Sequence, residues 1–239
     1  MREGREDKEL REIEFLPGYL KHPEGSCFVK WGNTWVICSV RVEEKVPPFL
    51  QGTGSGWVTA EYGMLPGSTN VRVSREYSQT GRSHEIQRMI GRSLRAVMNL
   101  EGLGERTLRV DCDVIQADGG TRMASVCGGF IALIEAVNKL YRDRVITHWP
   151  IKEYIAGVSV GKVEGRFLLD LEYSEDSIAE VDMNVVMTES GRIVELQSTA
   201  EKVPFTTSEL NTLLKLANQG IEEIIKKIKE ETIHLWKGS

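Results

Sequence analysis

Thr107-Leu-Arg-Val-Asp-Cys-Asp-Val-Ile115, running straight into Gln116-Ala-Asp-Gly-Gly-Thr-Arg122, is the stretch that decides the fold. Its first half alternates. Leu108, Val110, Cys112 and Val114 share one face, and Arg109, Asp111 and Asp113 share the other. That period of two reads as a half-buried strand. The second half is a Gly-rich turn, and a largely apolar helix follows it to about Tyr141. Gly128-Gly129 inside that helix weakens it by roughly 1 kcal/mol per Gly, and implies that another backbone comes close there. A strand handing directly to an apolar helix makes a mixed α and β chain.

Working outward supports that mixture. On the N-terminal side, Ser26–Trp31 and Thr34–Val40 flank Gly32-Asn33, a two-residue link suited to a β-hairpin. Residues 45 to 56 hold two prolines and three glycines and read as loop; Trp57–Tyr62 is a short strand. Ser83–Leu100 is a helix with Ile86, Ile90, Leu94 and Val97 on one face and Glu85, Arg88, Arg92 and Arg95 opposite. On the C-terminal side come two more hairpins, Tyr154–Val163 with Arg166–Leu171 and Val181–Met187 with Arg192–Gln197. A helix from about Ser208 to Glu230 ends the chain, opened by a capping box of Thr206 and Glu209. Strands grouped in hairpins, with helices between the groups, argue for an α+β fold of mixed sheets with packed helices. The charged start, Met1–Leu10, is expected to be mobile.

With 239 residues, size allows one large domain or two small ones. A net charge of −5 excludes a uniformly basic nucleic-acid binder, but not a local basic patch. The four cysteines show no ligand spacing and read as reduced buried thiols. With no signal peptide and no long apolar run, the expected setting is the cytoplasm, with no membrane. The four histidines are scattered, which argues against zinc, and no P-loop, G-x-S-x-G or GxGxxG motif is present.

Three constellations could carry chemistry. Asp118-Gly-Gly-Thr-Arg122 opens a helix, and its freed backbone N–H groups, the Thr121 hydroxyl and the Arg122 guanidinium suit a phosphate-sized anion. The run from Val71 to Arg95 carries Arg72, Arg75, Arg82, Arg88, Arg92 and Arg95 against only Glu76 and Glu85. Arginine suits phosphate recognition through its planar fork, although the helix arginines could equally pair with other elements. The third is acidic: Asp170, Glu172, Glu175, Asp176, Glu180 and Asp182. Asp182, sharing a strand face with Asn184, enters a core-forming strand and needs a partner or a metal. Glu175 and Glu180 read as solvated loop charge. Carboxylates beside phosphate-binding groups suggest Mg2+. Together these indicate phosphoryl or nucleotidyl chemistry, with hydrolysis and phosphorolysis both open.

Several stretches in fixed order resemble the bacterial RNase PH family nearly end to end. They are Glu24-Gly-Ser26, Gly56-Trp-Val-Thr-Ala-Glu-Tyr-Gly-Met-Leu-Pro66, Glu85-Ile-Gln-Arg-Met-Ile-Gly-Arg92, Val110 to Arg122, Ala156-Gly-Val-Ser-Val-Gly161, Glu175-Asp-Ser177 and Asp182-Met-Asn-Val-Val-Met-Thr188. The resemblance implies one RNase PH domain over residues 1–239, with the ribosomal protein S5 domain 2-like fold. It implies a phosphate-dependent 3′-to-5′ exoribonuclease that trims tRNA precursors and other RNA 3′ ends and releases nucleoside diphosphates. Inorganic phosphate as co-substrate would be held by Arg82, Gly120, Thr121 and Arg122. Asp176 and Asp182 would be the catalytic, Mg2+-binding pair, with Arg72, Arg75, Arg88 and Arg92 toward RNA. A homohexamer, a trimer of dimers, is the implied assembly. The chain departs from the family pattern at Gly67 (usually Arg), at Ser55 (usually Gln), at Glu3 in Glu3-Gly4-Arg5 (usually Asp) and in a shorter loop before Arg82. These departures bear on RNA grip and subunit contacts, not on the phosphate or metal positions. The rival readings are a non-catalytic RNA-binding ring subunit of an exosome-like assembly and a metal-dependent hydrolase.

Overall fold

Gly32 and Asn33 turn the chain between β2 (Gly25–Trp31) and β3 (Thr34–Glu43), as their spacing leads one to expect. The structure, a computed structural model, describes residues 2 and 4–236, with Ser78 described by its backbone alone. Strand β1 (Ile13–Pro17), to which the sequence reading assigns no element, pairs antiparallel with β2. The alternating stretch is β5 (Thr107–Gln116). It pairs antiparallel with β3 and parallel with β4 (Trp57–Met64), so the first sheet runs β1-β2-β3-β5-β4.

The second sheet is antiparallel throughout. Its order is β7-β6-β8-β9, from β6 (Ile155–Val163), β7 (Arg166–Leu169), β8 (Val181–Thr188) and β9 (Ile193–Ala200). β7 stops short of the expected Leu171 because Asp170 takes φ +56°, a left-handed value that breaks the strand.

The helices are α1 (Gly81–Ala96), α2 (Thr121–Arg142), the single turn α3 (Tyr173–Asp176) and α4 (Thr207–Thr232). The Thr206–Glu209 capping box is present with both reciprocal bonds. α2 lies between the sheets: Phe130, Ile131, Leu133 and Ile134 are fully buried in a cluster that draws on both. It is long and apolar enough to cross a membrane, but nearly all of its apolar stretch is buried in this core.

The glycine pair in α2 does serve a close approach, though to side chains rather than to another backbone. A Cβ at Gly128 would sit 2.5 Å from Val29 Cγ2 and 2.9 Å from Cys38 Sγ. Toward the second sheet, α2 needs Gly157, where a Cβ would meet Met123 Sδ at 2.7 Å. All four cysteines are free and buried, as expected, and burial pushes the Cys127 thiol up to about 12.

Where it is described, the start of the chain is tied to the second sheet and α3 by its arginines. Arg2 donates to Glu175 at 2.5 and 2.8 Å and to the Leu169 carbonyl at 2.8 Å, and Arg5 reaches Asp170 at 3.2 Å. Charge in a terminal segment suggested solvent; here it finds buried acids instead. Glu3, in the departure from the family pattern, lies outside the described residues, as does Met1.

Candidate active site

The turn Asp118–Gly120 joins β5 to α2 through two successive left-handed glycines, Gly119 at φ +76° and Gly120 at φ +70°. Gly120 is the N-cap of α2 and has no side chain to cap it, so the first N–H groups of the helix are left for an outside anion. The turn is held from three sides. Thr34 Oγ1 donates to the Gly119 carbonyl at 2.6 Å and accepts from Asp118 N–H at 3.0 Å. Arg11 donates to the Asp118 carbonyl at 2.6 Å. Tyr62 on β4 shares a 2.9 Å hydrogen bond with Thr121 Oγ1.

Arg11 is itself buried, and Asp170 is its counter-charge. Asp170 Oδ2 accepts from Arg11 N–H and Nε at 2.8 and 3.0 Å and from Trp31 Nε1 at 2.8 Å, while Oδ1 accepts from Arg11 Nη2 at 2.6 Å. Burial pushes the Asp170 carboxyl up, but the charge and hydrogen bonds of Arg11 overcome this and hold it below its ordinary value. In the sequence Asp170 is one of six acids in a short stretch, and nothing singles out Arg11. No local signal marks a pair 159 residues apart.

The second wall is α1. Thr80 caps it by accepting from Ser83 N–H, and the Ser83 hydroxyl fixes its first turn to the Tyr62 carbonyl at 2.7 Å. Arg82 projects from that turn, exposed, and makes no hydrogen bond or ion pair among the described residues.

The third wall is acidic. Asp176 ends α3 and Asp182 lies on β8. Burial raises the Asp182 carboxyl to about 6, and the charge of Asp176 adds to that. Burial also raises Asp176, against the opposing fields of Arg82 and Arg122. Asn184 Nδ2 donates to Asp182 Oδ2 at 3.3 Å. Glu175 is a correction to the sequence reading: it is buried, ion-paired to Arg2 and Arg5, and anchors α3 beside Asp176. Glu180, paired with Lys162, stays at the surface.

These walls enclose one cavity of about 820 Å³, lined by Arg82, Gly120, Thr121, Arg122, Asp176 and Asp182 together with Tyr173 and Gly67. All six residues expected to hold phosphate or metal therefore meet, from three distant parts of the chain. Arg72, Arg75, Arg88 and Arg92 do not line it. Arg72 and Arg75 are exposed on the segment beside its mouth, and Arg88 and Arg92 lie farther along α1. Arg92 pairs with Glu195 at 2.9 Å; Arg95 covers the Trp57 ring and donates to the Val58 carbonyl. A Cβ at Gly67 would meet nothing within 4 Å, so a side chain could start there without a clash.

Among the described residues, no group of three or more His, Cys, Asp or Glu is arranged to hold a metal. The Asp176–Asp182 pair nonetheless fits Mg2+. This ion is commonly held by one or two carboxylates plus substrate phosphate oxygens and water, and a cation would offset both the burial that chiefly raises Asp182 and the Asp176 charge that adds to it.

The two domain models of the 3′ exoribonuclease family match residues 9–138 and 153–220. A protein named ribonuclease PH from Listeria innocua is 55% identical over 235 residues, covering 97% of this chain and 94% of its own. The ribonuclease PH of Bacillus subtilis is 56% identical over 232 residues, covering 95% of each chain. In structure, the chain is similar to a subunit of an Archaeoglobus fulgidus exosome with RNA bound to the active site. The TM-score is 0.81 at 20% identity, over 95% of this chain and 91% of that one. That likeness shows the fold, and it agrees with the S5 domain 2-like architecture.

Proposed function

The chain belongs to the 3′ exoribonuclease family that includes ribonuclease PH, and from that premise we propose that it trims RNA 3′ ends by phosphorolysis, with tRNA precursors as substrates. The observation that carries the proposal is the single cavity in which a cationic phosphate cradle faces two carboxylates. Arg82, the α2 N-terminus, Thr121 and Arg122 bind inorganic phosphate and orient one oxygen toward the last phosphodiester. That oxygen forms a bond to phosphorus, and the bond from phosphorus to the preceding 3′ oxygen breaks. The product is a nucleoside diphosphate, and the shortened RNA keeps its 3′ hydroxyl. The leaving 3′ oxygen takes a proton, and the Asp pair is the group in place to supply it. Exchange of one phosphate ester for another is close to balanced, so the reaction runs in both directions.

Asp176 and Asp182 are the residues that would hold Mg2+, which when bound supplies positive charge to the transferring phosphoryl group. Arg72, Arg75, Arg88 and Arg92 are assigned to the RNA backbone outside the cavity, where each arginine adds a salt-sensitive contact. We assign the chain a cytoplasmic setting, a single domain over residues 1–239, and a homohexamer built as a trimer of dimers. The non-catalytic ring-subunit reading is not favoured, because the raised Asp182 and its Asp176 neighbour would be a cost without a purpose in an inert subunit. The test is trimming of a tRNA carrying a 3′ extension, with Mg2+ and varied phosphate. Shortening should stop without phosphate, and Arg82→Ala should raise the phosphate requirement strongly. Shortening at the same rate in phosphate-free buffer would make the protein a hydrolase.

A further inference from the structure

Arg122 has a partner at the edge of the cavity. Its Nη1 donates to Gln197 Oε1 at 2.5 Å, and Gln197 Nε2 donates in turn to Glu85 Oε1. Gln197 sits on β9, paired across the strand with Asn184, and Glu85 lies one turn after Arg82 on α1. One side-chain amide thus ties the start of α2 to α1 and to the strand that carries Asp182.

The residue type matters here. Arginine only donates and carboxylate only accepts, so both ends of the amide are fixed in orientation. A carboxylate at this position would meet Arg122 directly and compete with phosphate for its charge. An apolar side chain would leave Arg122 and Glu85 without their connecting bonds. Glutamine fixes the guanidinium while keeping the Glu85 charge one side chain away. The other donors of Arg122 have no hydrogen-bond partner among the described residues, and the residue lines the cavity.

We propose that Gln197 is a positioning residue that holds Arg122 for the attacking phosphate and insulates it from Glu85. This rests on the reading of Arg122 as a phosphate ligand. The full-length enzyme is assayed for phosphate KM, RNA KM and melting temperature in four variants: Arg122→Ala, Gln197→Met, Gln197→Glu, and Gln197→Glu combined with Glu85→Gln.

Arg122→Ala should raise the phosphate KM about tenfold or more, the size of a lost charge-assisted hydrogen bond. An unchanged value there overturns the phosphate-site reading, and this proposal with it. Gln197→Glu should raise the phosphate KM about tenfold and Gln197→Met about threefold, with the RNA KM little changed. The double variant restores a complete hydrogen-bond chain but leaves the acid against Arg122. It should recover the parental melting temperature while its phosphate KM stays high. If Arg122→Ala raises the phosphate KM and Gln197→Glu does not, the proposal fails. It also fails if the double variant recovers phosphate KM together with stability, since Gln197 would then be only a structural link.

Discussion

Replacing Asp170 with asparagine removes one charge from a buried, densely hydrogen-bonded polar cluster. Asp170 is 1% exposed and Arg11 9%. Three Arg11 donors and the Trp31 indole converge on the carboxylate, with Arg5 at 3.2 Å as a further cation. Asparagine keeps the shape but offers one acceptor oxygen, and turns an N–H₂ toward the guanidinium. The remaining buried cation costs about 3–5 kcal/mol, a large share of the roughly 5–15 kcal/mol that holds a typical domain. The damage also reaches the candidate site, because Arg11 holds the Asp118 carbonyl at the turn proposed to bind phosphate. Urea unfolding at pH 7 should show the midpoint falling with the slope unchanged, and trimming should show a raised phosphate KM. The pairing also sets a pH dependence. The folded-state pKa of Asp170 is depressed, so its stabilisation is present above the unfolded value near 3.9 and is lost as pH falls through the folded value. The variant should therefore lack that part of the parent's acid unfolding. A loss below about 1 kcal/mol, the scale of an exposed pair, would show that the cluster is not a buried counter-charge system.

Further expectations concern other parts of the structure. Gly119→Ala should destabilise the protein and weaken phosphate binding, because its Cβ would lie 2.5 Å from the Leu171 carbonyl oxygen and 2.8 Å from Glu172 C, on a φ of +76°. Calorimetry and phosphate titration together check it. Asp111→Asn should stabilise the protein near pH 7.5, and the gain should shrink toward pH 4.5. Burial, with Glu61 and Asp113 nearby, raises the Asp111 carboxyl to about 6, so the folded state binds the proton more tightly and parental stability rises as pH falls through 6. Chelation of divalent cations should stop trimming and added Mg2+ should restore it, while Asp182→Asn should lower turnover by about 10²-fold or more with melting temperature preserved.

Local rules made much of the fold legible. Gly32-Asn33 placed a hairpin, the Leu108–Val114 alternation placed β5, and the stripe Ile86, Ile90, Leu94, Val97 placed α1, because each signal lies within one element. β1 escaped because its alternation, Ile13-Glu14-Phe15, is cut short by Pro17 and Gly18. Within the site, Asp182 and the Asp118–Arg122 turn could be singled out because their residue types sit in short segments, whereas Asp176 is marked only by the family resemblance. The supports could not. Glu175 looks like loop charge until Arg2 is brought to it from 173 residues away. Gln197, in an ordinary edge strand, has no signature until Arg122 and Glu85 meet around it. Candidate site residues within a local motif stood out by type and spacing, whereas the residues that hold them in place became visible only through tertiary contact.

The most direct test of phosphorolysis follows the phosphate itself. Unlabelled tRNA with a 3′ extension is incubated with the protein, Mg2+ and radiolabelled orthophosphate, and the released nucleotides are separated. The account predicts that label enters nucleoside diphosphates as the terminal phosphate, one for each residue removed. Release of unlabelled nucleoside monophosphates would contradict it, since water and not phosphate would then have attacked the RNA.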